Sequence, residues 1–348
     1  MDDRKSNRSG EADASARVGI VVIGRNEGDR LKTCLRSIPS GVSVVYVDSG
    51  STDDSVAFAR ALSAHVVELP TAIGFTAARA RNAGFEVLKK NDPEAAYVQM
   101  IDGDCALQPH WLDAAIAGLE ADPGLAAIFG RRRERFPQAS IYNAICNAEW
   151  DVPVGPALSC GGDVLFRISA FDEAGGYNPD LIAGEEPDLC LRMREKGWRI
   201  ERIPAEMTLH DANILHFGPW WRRARRSGHA FVEHVWRHGA RSDPSWIRQV
   251  RSIIVWGGVL PTIAISGVLL ALVFEPIFWA VPLAYLAILA AQICRIALRG
   301  RVAGEPKSYA WRNAALLMIA KFAQIGGGMT FLRSRLLNRR SLIIEYKG

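Results

Sequence analysis

Two long apolar stretches near the C-terminus constrain this chain more than any other feature. They are Ile253 to Val273 (IIVWGGVLPTIAISGVLLALV) and Ile277 to Leu298 (IFWAVPLAYLAILAAQICRIAL), joined only by Phe274-Glu275-Pro276. As helices rising about 1.5 Å per residue, each covers the roughly 30 Å hydrocarbon core of a bilayer. Buried core helices would be the alternative, yet two such runs with so short a link read as a membrane hairpin. Arg222, Arg223, Arg225, Arg226, Arg237, Arg241, Arg248 and Arg251 precede the first run, and Arg295, Arg299, Arg301 and Lys307 cluster around and after the end of the second. Because cationic flanks stay on the cytoplasmic side, both ends of the hairpin and the domain before it are expected there, at the inner (plasma) membrane.

A third apolar segment, Ala314 to Leu332, contains Lys321 and a Gly326-Gly327-Gly328 run. Letting it cross would export the basic tail RSRLLNRR, so it is expected to lie at the interface. Met1 to Arg17 is polar and has no apolar core, which predicts a disordered tail. The resulting partition is a tail over 1–17, a globular domain over 18–217, a basic amphipathic interfacial linker over 218–251, two transmembrane helices over 252–298, and a basic cytoplasmic tail with an interfacial helix over 299–348. The formal net charge of +5 is carried mainly by the membrane-proximal segments. WWRRARR at Trp220 to Arg226 would suit nucleic acid or anionic headgroups. Its place just before a span favours membrane lipids as the partner, with no nucleic acid. The six cysteines show no metal-ligand spacing and read as reduced thiols.

From Val18 onward, short apolar runs alternate with helical patterns: VGIVVIG, a helix from Asp29; VSVVYVD, a helix from Asp53; HVVELP, a helix from Phe75; AAYVQMID, a helix from Pro109. Repeated βα units imply an α/β fold with a mostly parallel sheet. Ligands collect beyond the carboxyl ends of such strands. Arg25-Asn26-Glu27 falls at the end of the first strand, Asp48 at the end of the second and Asp102 at the end of the fourth.

The fourth strand runs into Asp102-Gly103-Asp104. Residues two apart in an extended chain project to one side, so the two carboxylates can approach one hard cation while the glycine lets the backbone turn. Taken alone, Asp-Gly-Asp is also an ordinary solvated turn. In GFTAARARNAG, Gly74 to Gly84, Arg79 and Asn82 lie three apart on a helix and are expected to face the cleft, with Arg81 a solvated charge. Gly184-Glu185-Glu186-Pro187-Asp188 opens another helix, where acids either stabilise the N-terminus or supply a general base. His210, after Met207-Thr208-Leu209, is a candidate to complete a metal shell. The half after Gly130, including Gly161 and Gly162 in CGGDVLF, is expected to shape the site of a second substrate.

In order and spacing, VVIGRNEG, VVYVDSGSTDDS, GFTAARARNAG, MIDGDC, GGDVLFR and AGEEPDLCLR resemble family 2 glycosyltransferases of the GT-A fold over roughly Val18 to Phe217. The resemblance implies a nucleotide-sugar donor, a UDP- or GDP-sugar, held by Arg25, Asn26, Glu27, Asp48, Arg79, Asn82 and Asp102. It makes Asp102 and Asp104 the family's DxD metal motif, joined by His210 around Mn²⁺ or Mg²⁺. Glu186 falls on the family's catalytic base, with Glu in place of the usual Asp; Glu185 and Asp188 are possible substitutes and, with Gly161 and Gly162, acceptor-side candidates. Inverting transfer follows. The Gln-x-x-Arg-Trp motif of the processive synthases is missing, since the corresponding region reads GPWWRRARRSG. Addition of one sugar to a lipid-linked or glycan acceptor in envelope or extracellular polysaccharide assembly is therefore expected over a processive synthase subunit. A nucleotidyltransferase would need a better phosphate loop than GRNEGDR. A non-catalytic membrane scaffold on the same fold is the rival from another class.

Overall fold

The computed structural model describes residues 17–72 and 74–339. All of the expected N-terminal tail except Arg17, and the last residues of the basic tail, lie outside them. Contacts divide the chain into two compact units: one from residues up to Pro137 together with Cys146–Asn213, the other from Gln138–Ile145 and Ile214 onward.

The first unit is built on the βα repeats. Strand β1 (Val18–Gly24) is followed by α1 (Asp29–Arg36), β2 (Ser43–Asp48), α2 (Ser55–Ala61), β3 (His65–Glu68), α3 (Ala77–Asn91) and β4 (Tyr97–Asp102). These four strands pair in parallel, in the order β3-β2-β1-β4. Continuous apolar runs suit them because both faces are covered; six of the seven β1 residues are buried. Helix α3 lies close on the sheet at Gly84, where an added Cβ would come 2.4 Å from Val21 and 2.8 Å from Val47. That close approach carries the amino end of α3 to the carboxyl ends of the strands.

Beyond β4 the sheet becomes mixed. The chain continues through β5 (Cys105–Leu107), α4 (Trp111–Ala121), β6 (Leu125–Glu134), α5 (Ile141–Glu149), β7 (Gly155–Ala157), β8 (Val164–Arg167), α6 (Ile168–Glu173), α7 (Glu185–Glu195) and β9 (Arg199–His210). Strand β8 inserts antiparallel between β4 and β6, while β9 pairs parallel with β6 and antiparallel with β5 and β7. The α/β class with a mostly parallel sheet is as expected, with antiparallel strands added where the repeats fade.

The second unit is helical. Helix α8 (Phe217–His238) is followed by α9 (Pro244–Ile253), a π-helical turn at Ile254–Val259, α10 (Leu260–Val273), α11 (Ala280–Val302) and α12 (Lys307–Leu336). Among the described residues, three helical stretches can cross a membrane by length and composition: Pro244–Val273, Pro276–Val302 and Lys307–Leu336. The third, expected at the interface, is thus one continuous helix long and apolar enough to span. Its C-terminal half is covered by α8, however. An added Cβ at Gly228 would sit 2.1 Å from the Gln324 carbonyl, and one at Gly327 1.9 Å from the Arg225 carbonyl. The Arg225 guanidinium also donates to Thr330 at 2.9 Å, and Arg335 lies 4.5 Å over the Trp236 ring. The glycine run therefore serves helix crossing, bringing an arginine-rich helix alongside α12.

Candidate active site

Two strand ladders assemble one side of the site. Asp102 ends β4, and the Gly103 N–H donates to the Ile23 carbonyl at the end of β1, where a side chain would crowd that oxygen at 3.1 Å. The turn then feeds β5, whose Cys105 pairs with His210; on the other side of β9, Glu134 is level with the same histidine. His210 Nε2 lies 3.3 Å from Asp104 Oδ2, and Nδ1 lies 3.6 Å from Glu134 Oε2. The Trp150 ring meets the imidazole edge-on at 4.7 Å.

This donor set fits a divalent cation. Ligand atoms of Asp104, Cys105 and His210 lie within 4.8 Å of one another. Burial, with the nearby Arg132 guanidinium, pushes the imidazole below its ordinary value, so it is neutral near pH 7 and offers a lone pair. Burial pushes the Cys105 thiol well up, while the Asp104 carboxylate and the His210 imidazole offer oxygen and nitrogen donors to a divalent cation.

Asp102 faces a different environment. Arg81 Nη2 donates to its Oδ1 at 2.7 Å and Arg132 Nη2 to its Oδ2 at 3.0 Å. Its backbone N–H donates to Asp163 Oδ1 at 3.0 Å, because β8 pairs with β4 and places Asp163 beside the strand end. Asp163 is wholly buried; its Oδ2 accepts from Arg132 Nε at 2.8 Å and from the Thr208 hydroxyl at 2.7 Å. Arg132 also reaches the Cys105 sulfur at 3.3 Å and lies 5.2 Å over the Trp150 ring.

Arg81 reverses the sequence expectation. It is 2% exposed, and its Nη1 donates at 3.0 Å to both Glu185 and Glu186. Of the two arginines on α3 it is Arg81, not Arg79, that reaches the Asp-Gly-Asp turn. Arg79 donates instead to the carbonyls of Pro70 and Gly74. Burial opposes the Arg81 charge, but Asp102 and Glu186 more than offset it and hold the guanidinium protonated.

Glu185 and Glu186 open α7 after Gly184, which adopts φ +83°. Burial first, and then the Glu185 charge, raise Glu186 to about 7, against the pull of Arg81. A carboxyl poised there can exchange a proton near neutrality. Asp188 is engaged elsewhere: it pairs with Arg192 at 2.9 Å, one turn along the helix, and Arg192 in turn holds the carbonyls of Ala174 and Gly176. Gly162 borders the centre of the network. A Cβ there would come 2.5 Å from Arg81 Nη2, 3.0 Å from Asp102 Oδ2 and 3.3 Å from Glu186 Oε1, whereas Gly161 faces open space.

Other expected donor residues form the surrounding loops. Asp48 is buried and its oxygens are taken up locally, Oδ1 by the Tyr46 hydroxyl at 2.9 Å and Oδ2 by the N–H groups of Gly50 and Ser51. These bonds shape the loop and leave Oδ1 with a single partner among them. Asn26 accepts from the Thr52 N–H at 2.7 Å, Glu27 pairs with Arg30 at 2.9 Å, and Arg25 lies 5.2 Å over Phe75. Asn82, expected to face the cleft, bonds the Tyr177 backbone through both its amide atoms. The sequence reading missed Arg132, Glu134 and Asp163. Only Asp163 carried a signal, an acid directly after the twin glycines of CGGD; Arg132 lies in a run of three arginines that gives no hint of which one turns inward.

Comparison with known proteins agrees with this architecture. Residues 19–153 match the family described as Glycosyl transferase family 2. A pre-mycofactocin glycosyltransferase of Mycobacterium tuberculosis is 25% identical over 263 residues, which cover 70% of this chain and 51% of that protein. The chain thus spans about half the length of that relative. An uncharacterized glycosyltransferase of Mycobacterium bovis is 26% identical over 199 residues, 53% of this chain and 83% of that one. Among solved structures, a mannosyltransferase from Pyrobaculum calidifontis in complex with GDP-Man and Mn²⁺ superposes with a TM-score of 0.55 at 18% identity, covering 91% of this chain and 87% of its own. Residues 19–153 thus match glycosyl transferase family 2 within an α/β unit whose fold is that of the GT-A glycosyltransferases, and the chain continues into helices apolar enough to cross a membrane.

Proposed function

We propose that the protein is a metal-dependent, inverting glycosyltransferase that moves a sugar from a nucleoside-diphosphate donor to a lipid-linked or membrane-proximal acceptor. The observation that carries this reading is the convergence of the Asp102-Gly103-Asp104 turn, His210 and Glu186 on one strand end, with candidate spans in the same chain. Asp104 and His210 would hold a divalent cation, which when bound supplies charge to offset the leaving diphosphate. The charge balance fits. Among the described residues, carboxylates of Asp102, Asp104, Glu134, Asp163, Glu185 and Glu186 outnumber the Arg81 and Arg132 guanidiniums they gather around, an environment that repels a diphosphate until more positive charge is added.

Glu186, once ionised, accepts the proton of an acceptor hydroxyl, and that oxygen displaces the nucleoside diphosphate from the opposite face of the anomeric carbon. Inversion results. The loops at Arg25 to Glu27 and at Asp48 lie at the carboxyl ends of β1 and β2, where the nucleoside would sit. The arginine-rich α8, running along the C-terminal half of α12, supports an interfacial place for that pair and a cytoplasmic catalytic domain, since such a helix does not enter hydrocarbon. A role in envelope or extracellular polysaccharide assembly agrees with this placement.

The test uses the full chain in detergent, a panel of UDP- and GDP-sugars and a membrane lipid extract. Nucleotide release from one donor, abolished by chelator and restored by Mn²⁺, is expected, and Asp104→Ala should lower Mn²⁺ affinity by tenfold or more. Release that ignores chelation would overturn the metal assignment, and no release with any donor would favour a scaffold.

A further inference from the structure

Arg81 joins two halves of the site that the chemistry uses separately. One terminal nitrogen of its guanidinium holds Asp102, at the turn where the donor diphosphate would lie; the other holds Glu185 and Glu186, on the side of the acceptor. A guanidinium is planar and rigid, so its two arms cannot be adjusted independently. The surroundings restrict it further. Tyr177 covers one face at 5.5 Å, and Gly162 packs so close to the fork that a side chain there would collide with it. The α3 backbone is itself pinned by Gly84 against β1 and β2.

We propose that Arg81 is a positioning residue that couples donor binding to the acceptor base: anything that draws Asp102 or the guanidinium toward a bound nucleotide changes the hold on Glu186, and the reverse. This goes beyond the individual roles above and rests on the glycosyltransferase reading. With nothing bound, one oxygen of Glu186 is held by the guanidinium. An incoming diphosphate competes for the same guanidinium and so frees the carboxylate only when a donor is present. A lysine retains the charge but, as a single ammonium, cannot span Asp102 and the glutamate pair in this fork geometry.

A double-mutant cycle tests the coupling, with Mn²⁺-dependent affinity for UDP and GDP as the readout in the full-length protein in detergent. Glu186→Gln, which removes a competitor for Arg81, should change nucleotide affinity by about fivefold or more in the parent, and Arg81→Lys should abolish that sensitivity. In turnover, Arg81→Lys should reduce kcat more than it raises the donor KM. A residue that only stabilised the fold would show additive effects on affinity and a lowered melting temperature. If Arg81→Lys does not fold, Glu185→Gln provides the second arm: it leaves the fork one carboxylate fewer and should shift nucleotide affinity in the same direction as Glu186→Gln. Additive free energies in the first cycle, or no shift with either glutamate variant, overturn the proposal while leaving the glycosyltransferase reading intact. Failure of the parent protein to bind either nucleotide would overturn both.

Discussion

Replacing Asp163 with asparagine changes few atoms and should be costly. Both carboxylate oxygens are used: Oδ1 by the Asp102 N–H, Oδ2 by Arg132 Nε and the Thr208 hydroxyl. An amide has one acceptor oxygen and a donor NH₂. If the oxygen faces Arg132, the NH₂ opposes the Asp102 N–H; if it is flipped, the NH₂ opposes the guanidinium. In either orientation two donors meet, and Arg132 loses one of its two carboxylate partners in a buried setting. Hydrogen bonds to charged groups contribute about 1.5–3 kcal/mol, and breaking a buried pair costs about 3–5 kcal/mol. Because Asp102 still holds Arg132, the lower end applies, roughly 3 kcal/mol. At about 2–4 °C per kcal/mol for a domain of this size, the melting midpoint should fall by about 6–12 °C. Thr208→Val removes only the hydroxyl contact and should cost about 1 kcal/mol. Thermal unfolding of the full chain in detergent, followed by tryptophan fluorescence, measures both. An Asp163→Asn midpoint within about 2 °C of the parent, or a Thr208→Val loss as large, would refute the argument that Asp163 is the buried anchor of this network.

Further outcomes follow from Glu186 and from the helical unit. Because Glu186 is raised to about 7 in the unliganded site and must be ionised to take a proton, kcat/KM should climb with pH through about 7 and fall close to tenfold per unit below it; a flat profile between pH 5 and 8 would remove Glu186 as the base. The raised value has the opposite sign for stability, since its contribution is full below the ordinary 4.5 and is lost as pH rises through about 7. In the helical unit, Gly228→Val and Gly327→Val each place a side chain where a carbonyl already lies, so each should separate α8 from α12. Limited proteolysis should then cut within Phe217–His238, and uncut protein would show that the helices do not cross there.

Much of the catalytic unit was legible because its signals are local. Apolar runs marked β1, β2 and β4, the last two closed by acids, and the Asp-Gly-Asp turn needs only a strand end and a glycine. Gly184 and Pro187 framed the start of α7 through backbone preference alone. The errors share a cause. Choosing between Arg79 and Arg81 required knowing which face of α3 lies on the sheet, and Gly84 settles that only through contacts with Val21 and Val47. The bonds that Asp48 receives from the Tyr46 hydroxyl and two loop N–H groups likewise became visible only once the loop closed.

The membrane-facing stretches, the βα alternation and the acids at strand ends were written into the order of residues, because hydrophobic periodicity and turn chemistry act over a few positions. The partners of those acids were not. Arg132 and Asp163 come from segments 30 and more positions beyond Asp102, brought to it by an antiparallel strand inserted into a parallel sheet. Likewise α8 covers α12 although nearly a hundred residues separate their facing glycines at 228 and 327. Charge pairing in a buried site depends on which elements become neighbours, and that is decided by how the whole sheet and helix set pack.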